Sequence, residues 1–147
     1  MQRANFIKNC GKLCLGTLFA SSLLESCGTA NHYAQSIQNN HIIQFKKTEF
    51  IQTKDGVQSQ RKYVLVKSDL LNFPICVYQI NENEYMALLM ECSHKSCELT
   101  PHGEYLICPC HGSEFDKQGK VQNPPAEADL HTFITKTDHE NIYIVIA

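Results

Sequence analysis

Beyond residue 41 the chain alternates apolar with polar residues, or carries short apolar blocks rich in Val, Ile, Phe and Tyr. A period of two over four to eight residues is typical of β-strands, and these blocks are too short to be core helices. The predicted strands cover residues 42–45, 63–66, 75–80, 85–90, 105–107, 133–135 and 142–146.

Turn-forming residues separate the predicted strands, including Lys-Asp-Gly at 54–56, Asn-Glu-Asn at 81–83 and the polar run 138–141. No helical period longer than about two turns follows residue 27, and neither an internal repeat nor a second domain is recognised. The pattern therefore predicts one small, antiparallel all-β domain over residues 41–147.

The first 26 residues have the layout of a secretory signal peptide. Arg3, Lys8 and Lys12 form a basic head, and the uncharged run 13–24 that follows is too short to span a bilayer unaided. We expect export from the cytoplasm. An uncleaved signal anchor is the alternative.

The end of this segment, Leu-Glu-Ser-Cys at 24–27, resembles a bacterial lipoprotein processing box. The resemblance implies that Cys27 is lipidated and becomes the mature N-terminus, which places the domain on the periplasmic side of a bacterial membrane. The basic head also resembles a twin-arginine export motif in which Ala4 replaces the second arginine. Residues 27–40 are polar and are predicted to form a tether.

Composition and charge limit the classes of binding partner that are expected. A chain of 147 residues with 43% hydrophobic and 19% charged residues is ordinary for one globular domain. The net charge is −2, and cleavage before Cys27 would leave 10 basic and 14 acidic residues, a net of −4. Basic residues form no cluster beyond pairs such as Lys46 and Lys47, so nucleic acid is not expected as a partner, and composition alone does not favour an anionic surface.

Two segments carry candidate metal ligands: residues 92–97 read CSHKSC, and residues 108–113 read CPCHGS. Residues two apart in an extended chain point the same way, so Cys92 and His94 can address one metal centre. Cys108 and His111 can address it from the second segment. A tetrahedral zinc ion would also accept two thiolates and two imidazoles. The additional cysteine in each segment and the absence of a predicted helix nearby argue against zinc.

The pattern Cys-x-His followed by Cys-x-x-His resembles the signature of the Rieske family. The resemblance implies a [2Fe-2S] cluster with Cys92 and Cys108 on one iron and His94 and His111 on the other. It also implies a Rieske-type antiparallel β sandwich or barrel, with an inserted cluster-binding subdomain of two ligand loops at about residues 91–125. Imidazole ligands raise the potential to roughly −150 to +300 mV, against about −400 mV for plant-type ferredoxins.

The two additional cysteines, Cys97 and Cys110, match the disulfide of the high-potential branch of that family. Disulfides persist in oxidising compartments, which agrees with the predicted export. The oxygenase-associated branch lacks this pair, so an oxygenase ferredoxin is not expected.

Other positions correspond to family residues that tune the cluster. Ser113 matches a serine that donates to a bridging sulfide, and Gly112 is expected to permit a close backbone approach. Phe115 occupies the place of a tyrosine in quinol-oxidising relatives, which predicts a lower potential. Lys95 replaces a usually apolar docking residue; the alternative is a solvated lysine without a role. Residues 123–126, Asn-Pro-Pro-Ala, resemble the family's proline loop.

The sequence thus predicts one-electron transfer by an exported, membrane-anchored Rieske protein with a membrane-associated redox partner. The alternatives are the iron–sulfur subunit of a quinol:cytochrome c or arsenite-oxidising complex, and a zinc-stabilised binding module. No independent catalytic site is recognised. Cys76 is expected to be a buried thiol, and the other histidines lack partners at ligand spacing.

Overall fold

The computed structural model describes residues 31–146. The signal peptide, Cys27 and the first residues of the predicted tether lie outside them. The strands are β1 (Ser36–Asn39), β2 (Ile42–Lys46), β3 (Ile51–Lys54), β4 (Val57–Gln60), β5 (Tyr63–Val66), β6 (Ile75–Asn81), β7 (Glu84–Leu89), β8 (Thr100–His102), β9 (Tyr105–Ile107), β10 (Glu114–Asp116), β11 (Val121–Asn123), β12 (Thr132–Thr137) and β13 (Asn141–Val145). A 3-10 helix spans Lys47–Phe50. No helix within residues 31–146 is long and apolar enough to cross a membrane.

Seven strands form a curled antiparallel sheet in the order β1-β2-β13-β12-β7-β6-β5. The two edges are joined by the N-terminal segment. The N–H of Ala34 donates to the Leu65 carbonyl at 2.8 Å, and the N–H of Leu65 donates to the His32 carbonyl at 3.0 Å. The chain then continues into β1, which pairs with β2 at the other edge. Residues 32–39 therefore close the sheet on itself.

This closure corrects part of the tether prediction. The polar composition of residues 27–40 predicts an unpaired segment, but residues 32–39 pair with β5 and β2. Strand β1 exposes three of its four residues and buries none fully, so it has no apolar alternation that a sequence pattern could reveal. The tether remains a prediction only for residues 27–30.

The inner face of the closed sheet forms the first hydrophobic core. In β13 the fully buried Ile142 and Ile144 alternate with the partly exposed Tyr143 and Val145. The other strands contribute in the same way, and burying each large side chain stabilises the fold by about 1.5–3 kcal/mol. The principal members are Ile43, Phe45, Phe50, Val64, Val66, Ile75, Val77, Tyr85, Ala87, Phe133, Ile142 and Ile144.

A second core lies on the outer face of β5, β6 and β7. The subdomain inserted between β7 and β12 has its own sheet, in the order β11-β10-β9-β8, and its Leu106 and Phe115 pack in one cluster with Cys76 and Tyr78 of β6. Because both faces of β6 are covered, Ile75–Tyr78 is an uninterrupted buried run, as in other doubly covered strands. Cys76 is buried as predicted, and burial raises the pKa of its thiol.

The all-β prediction is confirmed, and every predicted strand is present within two residues of its predicted ends. The sequence pattern missed six strands: β1, β3, β4, β8, β10 and β11. These strands have only three or four residues each, and the hairpin β3–β4 is largely exposed.

Candidate metal centre

The first ligand loop (92–97) and the second ligand loop (108–113) have the same backbone hydrogen-bond pattern. In each loop the N–H of the first residue donates to the carbonyl of the sixth, at 2.9 Å in the first loop and 2.8 Å in the second. The N–H of the fifth residue donates back to the carbonyl of the first, at 2.8 Å and 2.9 Å. Each loop is thus a compact backbone ring that presents its first cysteine from a fixed position.

The fifth residue of each ring has a left-handed backbone. Ser96 has a φ of 52° and Gly112 a φ of 80°. A Cβ added at Gly112 would meet no other residue within 4 Å. The glycine is suited to its place because it adopts a positive φ without steric cost. Ser96 holds the same conformation with a side chain attached.

The structure brings the two predicted cysteine ligands together and the two predicted histidine ligands together. Cys92 and Cys108 are unpaired thiols, each 1% exposed, and they lie beside each other. The rings of His94 and His111 meet edge to face with their centroids 4.9 Å apart. The two cysteines are the first residues of their loops, although they lie 16 positions apart in sequence.

One atom of this set tests whether a metal group fits. Nδ1 of His94 is buried and has no hydrogen-bond partner among the described residues. Burying a polar nitrogen without a partner is unfavourable by a few kcal/mol. The same nitrogen is a good metal ligand, as are two adjacent buried thiols in thiolate form. The residues present therefore fit a metal group held by two sulfur and two imidazole ligands.

The surroundings of Cys92 affect its ionisation. Burial raises the pKa of the Cys92 thiol, and the neighbouring Cys108 raises it further. The backbone N–H groups of His94 and Lys95 lower the pKa of the Cys92 thiol. These donors stabilise negative charge on the sulfur, which is the form that binds a metal.

A disulfide between Cys97 and Cys110 joins the two loops, with the Cα atoms 6.5 Å apart, and this confirms the pair expected from the resemblance. The sulfurs of Cys97, Cys108 and Cys110 lie within 4.8 Å of one another. Two of these sulfurs are bonded to each other, so the trio offers one free thiol and is no separate metal site. The disulfide instead packs beside the candidate ligand Cys108.

A third loop, residues 123–128, is hydrogen bonded to both ligand loops. Oγ of Ser113 accepts from the Ala126 N–H at 3.0 Å, and Asn123 Nδ2 donates to the Gly112 carbonyl at 3.3 Å. The Ser93 hydroxyl donates to the Ala128 carbonyl at 2.6 Å. The sequence alone did not indicate Ser93, since a loop serine carries no signal until its long-range partner is known.

The remaining predicted positions differ in their burial. Ser113 and Phe115 are fully buried, and Phe115 lies in β10 directly behind the second ligand loop. Lys95 is exposed on the first loop. His102 lies in β8, outside both ligand loops, and His32 pairs with Glu49 at 2.7 Å.

A family model described as the Rieske [2Fe-2S] domain matches residues 48–134, which is more than half of the chain. A ubiquinol-cytochrome c reductase iron-sulfur subunit of Rickettsia typhi is 31% identical over 94 residues, covering 58% of this chain and 52% of that protein. A cytochrome b6-f complex iron-sulfur subunit 2 of Trichormus variabilis is 33% identical over 61 residues, covering 40% and 34%. The chain therefore spans about half or less of the length of these relatives.

Solved structures agree on the fold. The plasma membrane Rieske protein of the cyanobacterium Synechocystis PCC 6803 superposes with a TM-score of 0.50 at 29% identity, over 56% of this chain and 85% of that one. A chain from a complex of reduced oxygenase and oxidised ferredoxin in carbazole 1,9a-dioxygenase gives a TM-score of 0.53 at 19% identity, over 73% and 94%. At that identity the second likeness supports the fold alone.

Proposed function

The chain belongs to the Rieske [2Fe-2S] domain family, and from this membership we propose that it is an exported, membrane-anchored carrier of single electrons. Its Rieske domain binds one [2Fe-2S] cluster, which sets aside the zinc-stabilised alternative. We propose Cys92 and Cys108 as the ligands of one iron, and His94 and His111 as the ligands of the other.

When bound, a cluster with two imidazole ligands accepts one electron at a higher potential than an all-cysteine cluster. The chain's own residues hold the proposed ligands in place for this transfer. The two backbone rings hold the cysteines, the Cys97–Cys110 disulfide holds the rings together, and Ser113 links the second ring to the third loop. The ring of His111 is exposed, which gives a partner direct access to that ligand.

The observation that carries the ligand assignment is the orphaned Nδ1 of His94. It lies on a ring that contacts His111, in loops that also bring two buried free thiols together. A merely structural histidine in such a place would hydrogen bond through its buried nitrogen. A metal-ligating histidine uses that nitrogen for the metal.

Two observations support an exported location. Residues 1–26 have the features of a signal peptide that ends at a lipoprotein-like box with Cys27. The Cys97–Cys110 disulfide suits an oxidising compartment. We therefore propose a periplasmic domain tethered to its membrane by lipid on Cys27, with a membrane-associated redox protein as partner.

A second candidate role is the iron–sulfur subunit of a larger oxidoreductase, because the relatives above are named as subunits of cytochrome complexes. Two residues favour the separate carrier. Lys95 places an exposed charge beside His94, where an apolar docking face would be expected in a quinol-oxidising complex. Phe115 lacks the hydroxyl that raises the potential in such complexes.

The test is purification of the full chain from its own membranes in mild detergent, followed by a coulometric titration. We expect a chain without a stoichiometric cytochrome b or molybdenum subunit that takes up one electron per cluster. Constant co-purification with such a subunit would support the second role, and a chain that takes up no electron would contradict both.

Lys95→Leu then tests the docking face. The variant is expected to change the rate of electron exchange with a redox protein partner and to weaken the dependence of that rate on salt concentration. Lys54→Leu, an exposed lysine on the β3–β4 hairpin, is the control. An unchanged salt response in Lys95→Leu would contradict a docking role for this residue.

A further inference from the structure

The inserted subdomain covers one side of the outer surface of the closed sheet, and within residues 31–146 the other side has no such cover. The inserted subdomain packs on the outer face of β5, β6 and β7 and buries Leu65, Cys76, Tyr78 and Leu88 there. Among residues 31–146 no comparable layer covers the outer face of β1, β2, β13 and β12, where large apolar side chains remain exposed. We call this the open face.

The strand register shows which residues share the open face. Ile42 of β2 pairs with Val145 of β13, and Val145 pairs with Ile134 of β12. Directly paired residues point to the same side of a sheet, so the three form an apolar row across three strands. Ile134 is 65% exposed and Ile42 is 45% exposed. Val145 between them is partly exposed, so the three side chains form contiguous apolar surface, which is a feature of membrane and protein interaction sites when it is large enough.

The adjoining positions add one more apolar residue, an aromatic residue and positive charge. Ile37 of β1, 65% exposed, pairs with Gln44, and Gln44 pairs with Tyr143. Tyr143 in turn pairs with Lys136, and Lys46 lies farther along β2 on the same side. The strands of the open face present no acidic side chain; Asp138 and Glu140 lie in the turn beyond β12, and Asp138 accepts a hydrogen bond from the Tyr143 hydroxyl.

We propose that the open face lies against the surface of the membrane that anchors the chain, with the aliphatic row among the lipid headgroups and acyl ends, and the lysines toward the headgroups. Exposed aliphatic residues beside a tyrosine and lysines are the combination that binds a bilayer interface. This inference rests on the proposed membrane anchor and adds the orientation of the domain.

The position of the chain's entry supports this occupant. Residues 32–34 pair with β5 where the sheet closes on itself, and the chain then forms β1 at the edge of the open face. Only residues 28–30 separate the proposed lipid site at Cys27 from Asn31, and three extended residues span about 10 Å. A domain joined to its lipid anchor by so short a linker stays close to the bilayer.

Charge supports the same occupant. The mature chain would have a net charge of −4, yet the strands of the open face carry Lys46 and Lys136 and no acid. These lysines are 90 residues apart in sequence, so no basic cluster is visible along the chain. The pairing register of β2, β13 and β12 brings the two lysines onto one face, where their positive charge would attract anionic headgroups.

A single introduced tryptophan tests the orientation, since the chain contains none. Ile134→Trp reports on the open face. Val57→Trp is the matched control, because Val57 is 67% exposed on β4 of the separate β3–β4 hairpin. Both full-length, cluster-loaded proteins are placed in vesicles of phosphatidylethanolamine and phosphatidylglycerol, with and without phosphatidylcholine brominated on its acyl chains.

We expect the emission of Ile134→Trp to move to shorter wavelength in vesicles and to be quenched by brominated lipid, while Val57→Trp stays solvent-like. Adding Lys46→Gln and Lys136→Gln to Ile134→Trp should reduce the quenching. Equal, solvent-like emission from both single variants would overturn the inference. So would a shift of Ile134→Trp that needs no vesicles and grows with protein concentration, because a second copy of the chain would then cover the face.

Failure of the inference is distinguishable from failure of the proposed function. Flotation of the vesicles reports the anchor, and the visible spectrum of the same sample reports the cluster. A floating, coloured protein with solvent-like Ile134→Trp emission contradicts the orientation alone. A colourless protein, or one that does not float, contradicts the proposed function, and without flotation the orientation falls as well.

Discussion

The hydroxyl oxygen of Ser113 accepts a hydrogen bond of 3.0 Å from the backbone N–H of Ala126. Both groups are buried, so this bond satisfies the third loop's amide where water does not reach. An oxygen that accepts still has its own hydrogen to donate. Ser113 can therefore fix the third loop and donate toward the cluster at the same time.

Removing this hydroxyl should have two effects. Ser113→Ala leaves the buried Ala126 N–H without a partner, which is expected to destabilise the fold by about 1–3 kcal/mol. It should also lower the reduction potential, because the proposed hydrogen bond from the Ser113 hydroxyl to the cluster is lost. Thermal unfolding and voltammetry measure the two effects. Ser59→Ala, an exposed serine on β4, is the control, and a potential equal to that of wild type in Ser113→Ala would refute the tuning role.

Phe115 provides the reverse experiment. Phe115→Tyr adds a hydroxyl that is expected to donate to a ligand sulfur and so to raise the potential. Phe115 is fully buried, so the variant's thermal unfolding must be recorded beside its voltammogram. Phe73→Tyr, outside the subdomain and only partly buried, is the control. An intact cluster in Phe115→Tyr with an unchanged or lower potential would show that this explanation of tuning is wrong.

Ser96 and Gly112 hold the same left-handed position in the two ligand loops. A side chain there is unfavourable by about 1–2 kcal/mol, whereas glycine loses about 0.5–1 kcal/mol in chain entropy. Ser96→Gly is therefore expected to stabilise the protein by up to about 1 kcal/mol, and Gly112→Ala to destabilise it. Thermal unfolding of the cluster-loaded proteins compares them. A loss of stability in Ser96→Gly would mean that the serine side chain makes a compensating contact.

The disulfide between Cys97 and Cys110 closes a loop of 13 residues. Loop-closure entropy for a loop of this size is about 3 kcal/mol. Replacing both cysteines by serine is expected to lower the thermal stability accordingly and to speed loss of the visible absorption during incubation with a chelator. Wild-type protein treated with a phosphine reductant should behave like the double variant. Equal rates of cluster loss in all three samples would contradict a role for the disulfide in holding the loops.

Asp138 gives a prediction about pH. Its carboxylate accepts from the Tyr143 hydroxyl and from the backbone N–H groups of Asn141 and Glu140 in the β12–β13 turn. These hydrogen bonds lower the pKa of Asp138 well below its usual range, and the bond from Tyr143 has the largest effect. A carboxyl with a lowered folded-state pKa contributes stability that is present above its unfolded pKa of about 3.9 and is lost as the pH falls toward the folded value.

Asp138→Ala should accordingly lower the melting temperature at pH 7, and the difference from wild type should shrink below about pH 4. Thermal scans between pH 7 and pH 3 measure it. Asp55→Ala, in the exposed β3–β4 turn, is the control. A difference that is constant across this range would mean that the Asp138 contribution does not come from its charge.

Sequence patterns revealed the strands that bury alternate residues and the two ligand segments, because a period of two and the Cys-His spacing are local signals. Strands β3 and β4 could not be seen, since none of their side chains is buried and even the apolar Ile51 and Val57 are exposed, so no buried face alternates with a polar one. The role of Ser93 and the equivalence of Ser96 with Gly112 needed the backbone, because they depend on a partner 35 residues away and on a dihedral angle. The open face likewise depends on register between strands far apart in sequence.

The central claim is that two histidines and two cysteines of this chain hold one [2Fe-2S] cluster. Pulsed EPR of the reduced protein grown with 15N-histidine tests it most directly. The account predicts two coupled histidine nitrogens in the wild type, and their loss together with the native spectrum in both His94→Ala and His111→Ala, while His102→Ala retains both. An iron–sulfur spectrum without coupled histidine nitrogens, or one unaffected by His94→Ala, would contradict it.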